Sequence, residues 1–245
     1  MALPSAQKVN VELHTSLLTV SKEINRASWK QVYSACLGRV VASQACYGRT
    51  VYGGKKVTPS FFDGKVFFDD KNYPAQIIGI VERDKNLWIW GYEKPINAPD
   101  ACYQLAQEVR SIGTNWDLPP LKNGKQELGK GFPAEHLAIA AVGVTKNFYC
   151  YCKIEEKEYD LYVAFSKLPT TVFASINADT FFRLSARCLP MFNVEHRTFV
   201  ESLLMWNGIP YEWKLKKLMA HFNEDVELSF EEEEGRVQIF AMKIL

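Results

Sequence analysis

Two runs rich in β-branched and aromatic residues, Ala75 to Val81 and Leu87 to Tyr92, flank the polar turn Arg83-Asp84-Lys85-Asn86. A turn this short joins antiparallel neighbours, so the pair predicts a β-hairpin. Lys65 to Phe68 reads as a strand before it. After the hairpin, Asn97 offers an N-cap, Pro99 suits a first turn, and Cys102, Leu105, Ala106, Val109 and Ile112 line one helical face that ends at Gly113. Hairpins followed by helices that pack on them point to an α+β fold.

The remainder of the chain repeats this grammar. A helix is expected from Pro133 to about Val142, and residues 148–154 and 159–165 form a hairpin around Glu155-Glu156-Lys157-Glu158. Asn193 is read as the cap of another helix, with Phe199, Leu203 and Trp206 on one face and Gly208 as its stop. Val226, Leu228 and Phe230 alternate, Glu234-Gly235 supports a tight turn, and Val237, Ile239 and Ala241 alternate again. Residues 211–222 fit both periods; read as one strand turning at Asn223-Glu224-Asp225, they make the C-terminus a three-stranded meander. At the other end Leu13, Leu17, Val20, Ile24 and Ala27, then Trp29 to Val41, follow helical spacing, so the first 45 residues are expected to be helical. Residues 119–131, with Pro119-Pro120 and several glycines and lysines, read as a loop or linker. The expected division is 1–118, linker 119–131 and 132–245, or a single domain over 1–245.

Composition removes several classes of function. With 29 basic against 28 acidic side chains the net charge is +1, so no global field draws the chain to nucleic acid or to an anionic membrane. Local basic groups, Lys55-Lys56 and Lys214, Lys216 and Lys217, are too short to change that. No apolar run approaches the ~18 residues of a membrane span, and Met1 to Ser16 lacks the pattern of a secretory leader. Six scattered cysteines in apolar stretches suit buried thiols in a reducing compartment, so the expected location is cytoplasmic.

Few residues carry chemistry at a readable spacing. Trp88, Trp90 and Tyr92 stand at i, i+2 and i+4, which puts three rings on one strand face as either core or a stacking platform for a ligand. His136 and His196 sit near helix starts, each after a glutamate, in the echoing stretches Phe132-Pro-Ala-Glu135-His136 and Phe192-Asn-Val-Glu195-His196. Near the positive end of a helix a neutral imidazole could act as a base, although acidic first turns are expected for stability alone. Cys150 and Cys152 share a strand face, but no second close pair completes a zinc site. Gly53-Gly54-Lys55-Lys56 lacks the spacing of a phosphate loop, and no nucleophile elbow, zinc helix or dinucleotide fingerprint occurs. No cofactor or metal is called for.

The apolar strand Ala75-Gln76-Ile77-Ile78-Gly79, the W-x-W strand Trp88-Ile89-Trp90 and the helix closing on Gly113 resemble an uncharacterised bacterial family, a domain of unknown function. The likeness covers about residues 65–165. It implies an α+β fold and a bacterial origin, and carries over no catalytic residue.

The reading that follows is an antiparallel sheet built from hairpins and a C-terminal meander, packed against several helices, with a helical N-terminal segment. Its expected role is a non-enzymatic binding or interaction module for an unknown protein or small molecule, using Trp88, Trp90, Tyr92, His136 and His196. The alternative is a small-molecule enzyme, such as a hydrolase, with a histidine or cysteine in an aromatic-lined pocket; a histidine in a concave pocket would favour it. If the thiols are free, titration of the denatured chain without reductant should count six, and a lower count would speak for a disulfide.

Overall fold

The computed structural model describes residues 6–9, 24–129, 132–147, 149–233 and 235–245. In chain order the elements are β1 (Ala6–Val9), α1 (Trp29–Tyr47), β2 (Val57–Ser60), β3 (Lys65–Phe68), β4 (Lys71–Glu82), β5 (Leu87–Trp90), α2 (Gln104–Asn115), α3 (Pro119–Lys122) and β6 (Lys125–Glu127). There follow α4 (Ala134–Val144), β7 (Cys150–Glu155), β8 (Tyr159–Phe165), α5 (Ala178–Met191), α6 (His196–Trp206), β9 (Tyr211–Lys214), β10 (Lys217–Ala220), β11 (Val226–Glu233) and β12 (Arg236–Ile244). They form two compact units. A hairpin unit holds residues 26–29 and 43–173, and a meander unit holds 1–25, 30–42 and 174–245.

The hairpin unit is organised by β4. This strand pairs β3 through Lys71–Pro74, β5 through Gly79–Glu82 and β8 through Ala75–Glu82, all antiparallel, within a seven-stranded sheet. Ile77 to Val81 are buried without a break, which is how a strand covered on both faces reads in sequence. A bulge at Ile78 shifts the alternation. Tyr73, Ala75, Ile77 and Ile80 therefore share one core with Phe68 and Phe165, whose rings lie 5.2 Å apart. On the other face Trp88 and Trp90, both 0% exposed, meet edge to face at 5.2 Å. Gly79 makes room for them: a Cβ there would come within 2.7 Å of the Trp88 ring.

The hairpin of 75–81 with 87–92 forms as expected, except that Tyr92 leaves the strand in a 3-10 turn, Gly91–Glu93. Its ring still stacks on Trp90, at 5.9 Å and 10°. The Trp90 indole donates to the Pro120 carbonyl at 3.0 Å and the Tyr92 hydroxyl to Leu121 at 3.1 Å. The stretch read as a loop or linker thus contains the one-turn helix α3, and the strand β6 pairs with β5. The helix α2 begins at Gln104 after a 3-10 turn, Asp100–Tyr103, so Asn97 does not cap it. Nor does Gly113 end it. That glycine stays helical and lets α3 approach, since a Cβ would lie 2.6 Å from the Leu121 Cβ. The helix α4 is buried at every position except Glu135.

The meander unit contains a five-stranded antiparallel sheet, ordered β1-β9-β10-β11-β12. The stretch 211–222 is two strands, β9 and β10, joined by the turn Leu215-Lys216 with Leu215 at φ 55°, so the meander has four strands instead of three. The segment Ala6–Val9 is a strand against β9, where helix was expected; its partner lies at the far end of the chain, beyond the reach of local periodicity. Of the remaining N-terminal positions read as helical, 13–23 lie outside the described residues, and helix begins at Trp29. The helix α5, unread in the sequence, is capped by the Asn177 side chain, which accepts from the Thr180 N–H at 2.9 Å. The next helix, α6, is preceded by Glu195 at its N-cap instead of Asn193.

On the inner sheet face Tyr211, Trp213, Leu218, Val226, Leu228 and Phe230 are all buried. Glu201 accepts from the Trp213 indole at 2.8 Å and pairs with Arg197 at 3.4 Å, while the Arg197 guanidinium lies 5.1 Å from the Trp213 ring centroid.

Because its ring is fully enclosed, Trp90→Ala is expected to cost about 3–5 kcal/mol, read as a lower urea midpoint. Phe62→Ala, at a position 84% exposed, should change stability by about 0.5 kcal/mol or less.

Candidate functional site

The sequence candidates separate on burial. Trp88, Trp90 and Tyr92 are closed within the hairpin unit, and a stacking platform needs open ring faces that they do not present. His136 is buried in the first turn of α4, where burial holds its pKa below the usual histidine range despite Glu135 beside it. Glu135 itself accepts from the Tyr162 hydroxyl at 2.9 Å. Cys150 and Cys152 do share a face of β7, and burial pushes both thiols up, Cys152 to about 12. Burial likewise raises Cys36 to about 12 and Cys188 to about 11. Thiols so displaced hold almost no thiolate at neutral pH and are poor nucleophiles. Among the described residues no three His, Cys, Asp or Glu side chains gather as a metal site.

His196 is placed differently. It opens α6, and the turn before that helix meets the start of β12 and Lys30 of α1 around a pocket of about 240 Å³. Leu189, Phe192 and Val194 supply apolar wall, and Asn193, Arg236 and Gln238 supply polar groups. The His196 Nδ1 accepts a hydrogen bond from the Ile239 backbone N–H at 3.0 Å. A nitrogen that accepts carries no proton, so the neutral ring holds its hydrogen on Nε2. Burial, and then the nearby Lys30 charge, lower the His196 pKa and keep this form.

The electrostatics of the pocket follow from its pairings. Arg197 is committed to Glu201 and Trp213 in the core. Glu195 accepts from the Thr198 hydroxyl at 3.2 Å, and its backbone N–H donates to the Ser34 hydroxyl at 2.8 Å. Lys30 and Arg236 therefore face a single carboxylate, Glu195. The pocket offers donors and positive charge, and its volume suits a small ligand or the end of a larger one.

Lys30 and Arg236 had no signal in the sequence, because they stand at opposite ends of the chain and meet only through the fold. His221 was also passed over. Its Nδ1 lies 3.2 Å from Asp225 beside an open groove of about 640 Å³. The Ser175 hydroxyl in that groove donates to the Asn207 carbonyl and is not turned to the imidazole.

Fold and pocket define an α+β protein of two units, each built on an antiparallel sheet, with a small cation-bearing pocket in the meander unit. The chain belongs to the family of unknown function (DUF6882), whose model matches residues 30–168. No curated protein and no solved structure matches it. The matched span takes in α1 and most of the hairpin unit, and of the pocket residues only Lys30 lies inside it.

Both His136 and His196 titrate below their usual value of 6.5 in the folded chain. Between the folded and unfolded pKa the unfolded state binds more protons, so stability rises with pH through that window and is lost as pH falls below about 6.5. Melting temperature measured from pH 8 to 5 should drop across this range. In His196→Ala the drop should be shallower, with His136 supplying the remainder; an unchanged slope would show that His196 is not held neutral.

Proposed function

We propose that this protein is a non-enzymatic binding module whose meander-unit pocket takes a carboxylate group. The observation that carries this reading is the hydrogen bond from Ile239 to His196 Nδ1. A general base needs a free lone pair, and the only lone pair on this ring is already occupied. Protonating Nδ1 would set two N–H groups against each other, so the ring is also a poor acid. What remains is a fixed Nε2–H donor next to Lys30 and Arg236, an arrangement suited to hold an anion. His196 does stand in a concave pocket, the condition that favoured an enzyme, but the protonation of its ring argues for recognition.

Other features fit this reading. The raised pKa values of Cys150 and Cys152 and the burial of His136 weaken the hydrolase alternative at those positions, and in the groove beside His221 the Ser175 hydroxyl is given to the Asn207 carbonyl. The net charge of +1 argues against nucleic acid as partner, and among the described residues no helix is long and apolar enough to cross a membrane. Six free cysteines and the family resemblance support a bacterial cytoplasmic location.

Titration with propionate, followed by NMR of the His196 ring and the Lys30 ammonium, tests the proposal. A saturable shift at both groups is expected, weaker at high salt. The double variant Lys30→Ala, Arg236→Ala should bind about tenfold more weakly. Absence of a saturable shift would reject a carboxylate site.

A further inference from the structure

We infer that the carboxylate belongs to the C-terminus of an extended peptide that adds to the open edge of β12 and ends in the pocket; this rests on the carboxylate reading above. The backbone phase of the meander carries the argument. The strand β12 closes one side of its sheet order, so its outer edge has no strand partner among the described residues. The Ile239 N–H leaves the sheet to reach His196, while the Phe230 N–H, opposite it, bonds Lys216 on the other side. Phe230 and Ile239 are therefore a wide pair that exchanges no hydrogen bonds. By alternation Glu231 and Gln238 bond each other, and Glu232 and Val237 form the next wide pair. The N–H and C=O of Val237 thus point to the open edge beside the pocket, whose lining includes Val237.

This free edge is short, and its length selects the ligand. The imidazole of His196 occupies the place where an added strand would meet Ile239. A peptide pairing with Val237 enters past the β11–β12 turn, runs parallel to β12, and must stop at His196. A chain that stops there presents its terminal carboxylate to the Nε2–H and to Lys30, with Arg236 alongside. Backbone pairing then supplies affinity and the terminal charge supplies selectivity. Charge complementarity also favours this occupant over a second copy of the chain, because β12 offers Arg236 and Lys243 and no acidic residue.

The test uses the full chain and an acetylated hexapeptide of alternating threonine and valine, with either a free carboxylate or a terminal amide. Binding is read by NMR, and protection of the Val237 amide by hydrogen exchange. The acid peptide should bind more tightly than propionate, slow Val237 exchange, and weaken about tenfold or more on amidation. The same acid peptide N-methylated where its backbone would donate to the Val237 carbonyl keeps its terminal carboxylate and should bind no tighter than propionate. If propionate binds but the peptide binds no tighter, or Val237 stays unprotected, strand addition is wrong while the carboxylate pocket stands. Equal binding of acid and amide overturns the terminal carboxylate. If neither propionate nor peptide binds, both readings fall.

Discussion

The hairpin unit depends on a strand that must be satisfied in every direction. From Gly79 to Glu82 both edges of β4 are paired, and from Ile77 to Val81 both faces are covered. Buried backbone groups need partners and buried side chains need neighbours, so such a strand dictates what is placed around it. The bulge at Ile78 divides its apolar residues between two cores, one around Phe68 and Phe165 and one around the tryptophans. The second core then reaches outward, because the polar ends of Trp90 and Tyr92 are costly to bury unpaired. They find carbonyls on α3, and a proline-rich stretch that looks like a connector becomes a packed element.

In the meander unit the governing contact is a single hydrogen bond. A histidine at the start of a helix is chemically versatile until its tautomer is fixed, and the Ile239 amide fixes that of His196. The same bond ties α6 to the last strand of the sheet. The span matched by the family lies mostly in the hairpin unit, whereas the pocket is built largely from residues after it.

Elements whose stabilising contacts are local were legible in the chain. The hairpins at 75–90 and 150–165, the helix after Pro133 and the alternation at Val226, Leu228 and Phe230 all formed where their period placed them, with Phe148 outside the described residues. Boundaries failed where tertiary contacts override local signals, as at Gly113, which is shaped by Leu121 and not by chain reversal. The strand β1 was invisible because its partner β9 lies at the far end of the chain. The helix α5 did have a signal, Asn177 followed by Phe181, Ser185 and Cys188 at helical spacing, and it was missed. Of the site, His196 was singled out, but the properties that define it come from Ile239 and Lys30, and no spacing rule connects those three positions.

The irregularities of β12 also bear on how the chain behaves at high concentration. A long, flat, apolar edge strand is a template on which further chains can stack into fibrils. This strand carries Phe240, which is 60% exposed, and Ile244, so its composition alone would place it at risk. The imidazole seated on Ile239 and the bulge at Phe240 interrupt the row of available donors in mid-strand. Each surviving piece is too short to hold a copy of the full strand in register. By occupying the Ile239 donor, His196 narrows the edge on which another strand could be templated.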